Sequence, residues 1–138
     1  MIDTEMKNKL LAAAVEAEKH SYSPYSHFAV GAAILTKGGN IYLGTNIENV
    51  SYGGTVCAER VAVWKAVSEG ELEMEAIAVV GPGNKEAYPC ALCRQVLLEF
   101  GLDMLVISGN SEGNYLGERS LRDLVPFPFT PSALLGGD

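Results

Sequence analysis

The sequence predicts an α/β fold, a three-layer α/β/α sandwich built around a mixed sheet of about five strands. Three observations carry this reading. Continuous apolar runs at Phe28 to Leu35, Ala76 to Val80 and Met104 to Ile107 have the pattern of strands covered on both faces rather than on one. Helix-spaced segments stand before, between and after those runs, so helices are available for both sides of a sheet. One pair of strands is joined by a tight turn and another by a helical crossover, which requires antiparallel and parallel neighbours in the same sheet.

Taken in order, Thr4 to about His20 places Met6, Leu10, Ala13, Ala14 and Ala17 on one face at helical spacing, with Asp3 positioned as N-cap. The turn-rich stretch Ser21-Tyr22-Ser23-Pro24-Tyr25-Ser26-His27 ends this helix. A strand from Phe28 to Leu35 then turns at Lys37-Gly38-Gly39-Asn40 into a second strand, Ile41 to Thr45, as an antiparallel hairpin. A polar loop, Asn46 to Thr55, leads into a helix from Cys57 to about Ser68. Val61, Ala62, Val63, Trp64, Ala66 and Val67 surround that helix, which predicts that it is largely buried. Ala76 to Val80 is a strand broken by Gly81-Pro82-Gly83-Asn84, and a helix from Pro89 or Cys90 to Phe100 crosses over to a parallel strand at Met104 to Ile107. Tyr115 to Arg119 reads as a short edge strand. Ser120 can cap a short helix through Val125, which Pro126, Pro128 and Pro131 stop.

With 138 residues the chain predicts a single domain, 1–138, able to bury about two thirds of its unfolded surface without staples. Its net charge of −7 and pI near 4.8 have the wrong sign for a phosphate backbone, so no nucleic-acid partner is expected. The apolar run from Leu10 to Val15 stops at Glu16, too short for a secretory signal. No run approaches the roughly 18 apolar residues of a membrane helix, so no membrane partner is expected. Three cysteines cannot all pair within one chain, and a Cys-x-x-Cys that opens a helix is rarely a structural disulfide. The expected location is therefore the reducing cytoplasm.

All three cysteines lie at predicted helix starts. Cys57 begins one helix; Cys90 and Cys93 open another, three apart and so on one face. Helix N-termini carry partial positive charge and unpaired N–H groups, which favour the thiolate that zinc requires. Three protein ligands rather than four leave a position for water, as catalytic zinc sites do. Glu59 stands two residues after Cys57, a spacing that suits a carboxylate beside the metal better than a fourth ligand. Arg60, three residues after Cys57, can return along the same helix face to the ligand sulfur. Two bland readings stand beside this one. A Cys-x-x-Cys at a helix start also describes a thiol redox protein, and a closed structural zinc site could be completed by His20 or His27.

Ser23-Pro24-Tyr25-Ser26, Val30-Gly31-Ala32, Asn46-Ile47-Glu48-Asn49, Cys57-Ala58-Glu59-Arg60, Pro89-Cys90 through Arg94-Gln95, and Leu124-Val125-Pro126 before Phe129 together resemble the zinc-dependent cytidine deaminases, in the small, homotetrameric class with three cysteine ligands. The resemblance covers most of the chain and implies the cytidine deaminase-like form of the α/β/α fold. By matching position, Cys57, Cys90 and Cys93 resemble the ligands of one Zn2+ per chain, Glu59 the catalytic proton shuttle, and Arg60 a cation bonded to a ligand sulfur, with Arg94 nearby in the second motif. Phe28 resembles the residue that packs on the pyrimidine, Asn46 and Glu48 the binders of ribose hydroxyls, and the Ala58 N–H a contact to the base carbonyl. Phe129 resembles an aromatic that reaches into a neighbouring subunit's site, and Tyr52, also counted with the substrate-binding residues, stands where another inter-subunit contact is expected. Phe28 as plain core, and Asn46 and Glu48 as turn formers, are the readings that local sequence alone also allows. The sequence departs from the family pattern at Ala91-Leu92, which replace a Gly-Ala pair, and at His27 and Tyr88.

What the resemblance implies is a hydrolase acting on a C–N bond of a cyclic amidine. It would convert free cytidine and 2′-deoxycytidine to uridine and 2′-deoxyuridine with release of ammonia, as a step of pyrimidine salvage. The neighbouring possibility within the same chemistry is a related cytosine nucleoside such as blasticidin S.

Overall fold

A computed structural model describes residues 2–136; Met1 and the last two residues of the predicted domain lie outside the described residues. Helix α1 (Thr4–Glu18) begins where Asp3 caps it, the Asp3 carboxylate accepting the Met6 N–H at 2.9 Å. Strands β1 (Gly31–Thr36) and β2 (Ile41–Thr45) form the expected hairpin, followed by α2 (Ala58–Ser68), β3 (Met74–Gly81), α3 (Ala91–Leu98), β4 (Leu105–Asn110) and β5 (Tyr115–Ser120). Two short helices close the described chain, α4 (Leu121–Leu124) and α5 (Pro131–Leu135).

The five strands lie in the order β2-β1-β3-β4-β5. β1 is antiparallel to both neighbours, β3 is parallel to β4 across the α3 crossover, and β5 returns antiparallel on the edge. The sheet is therefore mixed, as the turn and crossover signals required. Alternation along the strands assigns the two cores. Ala33, Leu35, Ala76, Ala78, Val80 and Ile107 face α1 and meet Leu10, Leu11 and Ala14, while Ala32, Ile34, Ile77 and Val106 face the opposite layer and meet Ala62, Val63, Ala66, Leu97 and Leu121. Burying each such Leu or Ile contributes about 1.5–3 kcal/mol, which is what holds the two helical layers to the sheet.

Three expectations are corrected. β1 starts at Gly31, not Phe28: His27 turns the chain with φ 56°, and the Asn46 side chain takes the Val30 N–H at 2.9 Å and gives its amide to the Phe28 carbonyl at 2.8 Å. Those backbone groups bond a side chain where a strand would bond its neighbour, and Phe28 stays half exposed. Second, α2 is not enclosed on all sides; Ala58, Glu59, Ala62, Val63 and Ala66 are buried while Trp64 and Lys65 face outward. Third, Ser120 precedes α4 without a capping bond from its side chain. The prolines do stop α4, at Leu124, and Pro131 then starts a separate helix, because a missing N–H costs nothing in a first turn, with Thr130 capping it by accepting the Ala133 N–H at 3.3 Å.

Two glycines set how closely the helices approach. A Cβ at Gly31 would meet the Ala14 carbonyl of α1, and one at Gly44 would meet the Ala58 carbonyl and the Ala62 N–H of α2. The first turn of α2 therefore rests directly on β2.

Candidate active site

Both helix starts carry cysteine at the N-cap. Cys57 (φ −78°, ψ 155°) and Cys90 (φ −64°, ψ 168°) leave their side chains out of any capping bond, so both sulfurs are free to turn to a common point. Cys93 in the first turn of α3 is buried, Cys57 half-buried and Cys90 exposed. The three Sγ atoms lie within 4.8 Å of one another, and among the described residues no histidine or carboxylate joins the cluster. Neither His20 nor His27 thus completes a closed site. A tetrahedral zinc with Zn–S bonds of about 2.3 Å needs sulfur–sulfur edges of about 3.8 Å, so the donor set fits that ion with only a small contraction.

Several contacts position these sulfurs. Ile47 and Val56 exchange backbone bonds at 3.0 Å, and Glu48 N–H donates to the Tyr22 carbonyl at 2.8 Å, so the segment holding Asn46 and Glu48 lies beside the residue that precedes Cys57. Arg94 does not reach sulfur; its Nε donates to the Pro89 carbonyl at 2.6 Å and its Nη1 to the Leu124 carbonyl at 3.0 Å, which ties the start of α3 to α4. The loop before α3 is held to the sheet by the Ser108 hydroxyl, which accepts the Ala87 N–H at 3.0 Å.

The electrostatics follow from that geometry. Cys93 hydrogen bonds to Cys57, and with the Arg60 guanidinium this pulls the Cys57 thiol down to about 5 against the opposing effect of burial. Cys93 is pushed up, by its bond to Cys57 and by its own burial. Without a cation one sulfur ionises and its neighbour keeps the proton; a divalent ion would supply the charge that lets all three be thiolates. Arg60 Nη2 donates to Cys57 Sγ at 3.5 Å, its Nε is buried with no partner, and its Cζ stands 5.9 Å from the Trp64 ring centre. Glu59 is buried, 6% exposed, and burial raises its carboxyl to about 7, with the Cys57 charge adding to the effect.

In front of the cluster lies a cavity of about 460 Å³. Phe28, Asn46, Glu48, Ala58 and Glu59 line it with Cys57 and Cys90, so residues far apart in sequence meet in one place. Asn46 is heavily engaged, its Oδ1 also accepting from the Ser21 hydroxyl at 2.6 Å. Glu48 accepts the Tyr25 and Ser26 N–H groups at 2.9 and 3.1 Å and the Ser26 hydroxyl, and the Ser26 hydroxyl bond is the main cause holding its carboxyl below the usual range. Tyr52 and Phe129 do not enter this cavity. Tyr52, 80% exposed, lines an adjoining groove with Tyr25, Asn49 and Thr55, and Phe129, 59% exposed, is anchored through its carbonyl by Gln95 Nε2 at 2.9 Å. Leu92 is exposed and outside the cavity, whereas Tyr88 lines it together with Lys85, Ser26 and Val30. Tyr88 was legible only as a departure from the family pattern, Ser26 only as a member of the Ser23-Pro24-Tyr25-Ser26 motif, and Lys85 carried no signal of its own.

The comparisons with known proteins agree with this geometry. The family model for the cytidine and deoxycytidylate deaminase zinc-binding region matches residues 4–109. A cytidine deaminase of Halalkalibacterium halodurans is 45% identical over 90% of this chain and 94% of its own length, and one of Sporosarcina psychrophila is 43% identical over 91% and 93%. A blasticidin-S deaminase of Bacillus cereus is more distant, 32% identical over 88% of this chain and 91% of its own. Among solved structures, the cytidine deaminase of Burkholderia pseudomallei superimposes with a TM-score of 0.84 at 39% identity, covering 93% of this chain and 100% of that one. With the matched region spanning both cysteine-bearing helix starts, the chain belongs to the cytidine and deoxycytidylate deaminase family.

Proposed function

We propose that this protein hydrolyses the exocyclic amine of free cytidine and 2′-deoxycytidine, releasing ammonia and leaving uridine or 2′-deoxyuridine for pyrimidine salvage. The observation that carries this is the convergence of three sulfurs and a buried carboxylate at the end of a nucleoside-sized cavity. Cys57, Cys90 and Cys93 would hold one zinc, which when bound supplies a Lewis acid that makes water acidic enough to ionise near neutral pH. Glu59 takes a proton from the attacking water and places it on N3, which makes C4 electrophilic. The hydroxyl oxygen adds to C4, and Glu59 then moves that hydroxyl's remaining proton to the amine, so that the C4–N4 bond breaks, ammonia leaves and the oxygen stays on C4 as the carbonyl. In the metal-free protein burial raises this carboxyl toward 7, the direction that suits a group acting as base and then as acid.

The remaining residues bind and orient. The Ala58 N–H, in the first turn of α2 and so free of intrahelical bonding, is a donor for the base carbonyl. Asn46 keeps one amide hydrogen and Glu48 keeps unused lone pairs after their loop contacts, which leaves both able to meet ribose hydroxyls. Phe28 offers a half-exposed ring for the pyrimidine face. Arg60 offsets the anionic sulfurs, and Arg94 positions Cys90 through the backbone.

Tyr52 and Phe129, exposed and away from their own cavity, suit residues that complete a neighbour's site in a homotetramer. The net charge of −7 argues against polynucleotide substrates. Among the described residues no helix is long and apolar enough to cross a membrane, and three free thiols suit a reducing cytoplasm. A thiol redox role would leave Glu59 and the third sulfur without a task.

Zinc analysis of the purified protein combined with steady-state turnover of cytidine, deoxycytidine and blasticidin S tests the reading. About one zinc per chain and turnover of the two simple nucleosides is expected. Absence of zinc, a fourth protein ligand, or a preference for blasticidin S would overturn it.

A further inference from the structure

The loop between β3 and α3 forms one wall of the cavity and is fastened more firmly than a surface loop needs to be. Asn110 Nδ2 donates to Asn84 Oδ1 at 2.9 Å and Ala87 N–H to Ser108 Oγ at 3.0 Å, both from a strand whose ends are otherwise engaged in the sheet. Tyr88 sits in this loop two residues before Cys90, half-buried, lining the cavity and packed on the core beneath α2 and α3. Its hydroxyl donates to Glu86 Oε2 at 2.6 Å. Arg119 of β5 stands with Nη2 3.4 Å from that same oxygen and Cζ 5.7 Å from the ring centre, so one guanidinium grips both residues. Glu86 can occupy this place because residue 117 on β5 is glycine: a Cβ there would lie 2.5 Å from the Glu86 carboxyl carbon. Burial, then the Glu86 bond, push the phenol up to about 12, so it remains a donor throughout the neutral range.

The chemistry proposed above fixes which part of the base this wall meets. C4 is flanked by N3 and C5. Glu59 on α2 must face N3 to protonate it, which turns C5 away from α2 and toward the loop that leads to Cys90. We propose that the Tyr88 ring, clamped by Glu86 and Arg119, is the specificity-determining wall at C5 of the cytosine and sets how large a substituent the enzyme accepts there. The inference rests on the deaminase reading but concerns a residue at which this sequence departs from its family's pattern. A side chain free to swing would yield to an added methyl group; one fastened at its hydroxyl, its ring face and its backbone neighbour resists as a packed interior does.

The experiment is the ratio of kcat/KM for cytidine to that for 5-methylcytidine in the parent, Tyr88→Phe and Tyr88→Ala, paired with calorimetric Kd values for the unreactive pair uridine and 5-methyluridine. One methyl group in a fitted pocket is worth about 10–200-fold. The parent should therefore discriminate against the 5-methyl nucleosides, Tyr88→Ala should narrow both ratios by about tenfold or more, and Tyr88→Phe, which keeps the ring but loses the bond to Glu86, should narrow them by less. Should Tyr88→Ala fail to fold, Tyr88→Leu, which keeps contact with the core but shortens the wall, carries the same expectation. Discrimination by the folded small-side-chain variant equal to the parent's, in turnover and in binding, would overturn the inference while leaving the deaminase reading intact. Failure of the parent to turn over cytidine would remove both.

Discussion

The two cysteine-bearing helix starts reach the same point by different means. The start of α2 is held by packing: Gly44 lets its first turn lie on β2, Ala58 and Ala62 are fully buried, and the groups it presents are charged. The start of α3 is held by polar contacts over a longer reach, through Arg94 to Pro89 and Leu124 and through Ser108 to Ala87. The difference teaches how the labour is divided. On the proposed reading the packed half is given proton transfer and charge balance, where small displacements cost most. The hydrogen-bonded half contributes two sulfurs and the wall that selects the substrate.

The sharpest way to break this comparison is Glu59→Gln, because all the proton transfer is assigned to one side chain. Turnover should fall 10²–10⁴-fold or more with zinc content and fold unchanged; near-normal turnover would show that the α2 side does not hold the chemistry. The same variant has a signature in the metal-free protein. Glu59 has a folded value of about 7 against an ordinary 4.5, so its contribution to stability is present below pH 4.5 and lost as pH rises through 7. Gln removes that loss, and metal-free Glu59→Gln should melt above the metal-free parent at pH 8 but not at pH 4.

Arg60→Gln comes next. Loss of a hydrogen bond to a charged group is worth about 1.5–3 kcal/mol, which should weaken zinc binding measured by competition with a chelator. In the metal-free variant the Cys57 thiol should titrate higher than its parent value of about 5, since a lowering cation has gone. A thiolate absorbance curve that overlays the parent's would show that Arg60 is a bystander.

Gly44→Ala tests whether packing alone seats α2. A new methyl against helix backbone should cost about 1–3 kcal/mol in denaturant unfolding and lower zinc occupancy with it. Ser108→Ala makes the matching test on the α3 side and should be the mildest, about 1 kcal/mol for one hydrogen bond. Zinc retention should be little changed by it, and a loss as large as that of Gly44→Ala would erase the distinction between the two halves.

Much of the fold was legible because its signals are local. The N-cap Asp3 and the β1–β2 turn depend on residues a few positions apart, the α3 crossover follows from two apolar runs with a helical segment between them, and each was observed. The start of β1 was not legible: Phe28 and Val30 read as strand by their apolar character, and what removes Phe28 through Val30 from the ladder is the side chain of Asn46, 16 residues from Val30. Trp64 similarly reads as core, yet it faces outward beside Arg60.

By itself the sequence located the residues on which the proposed chemistry rests. Three cysteines at helix starts, a glutamate two residues from one of them and an arginine one further on are a matter of spacing along a helix, which is set by covalent geometry. Only the tertiary structure decided the surroundings: that Asn46 and Glu48 spend most of their hydrogen bonds shaping the loop around Phe28, that Tyr52 and Phe129 lie outside the cavity, and that Tyr88 is clamped from β5. The clamp on Tyr88 depends on the register of β4 against β5 and on the close approach at Gly117, since a shift of one residue would move Arg119 to the other face of the sheet.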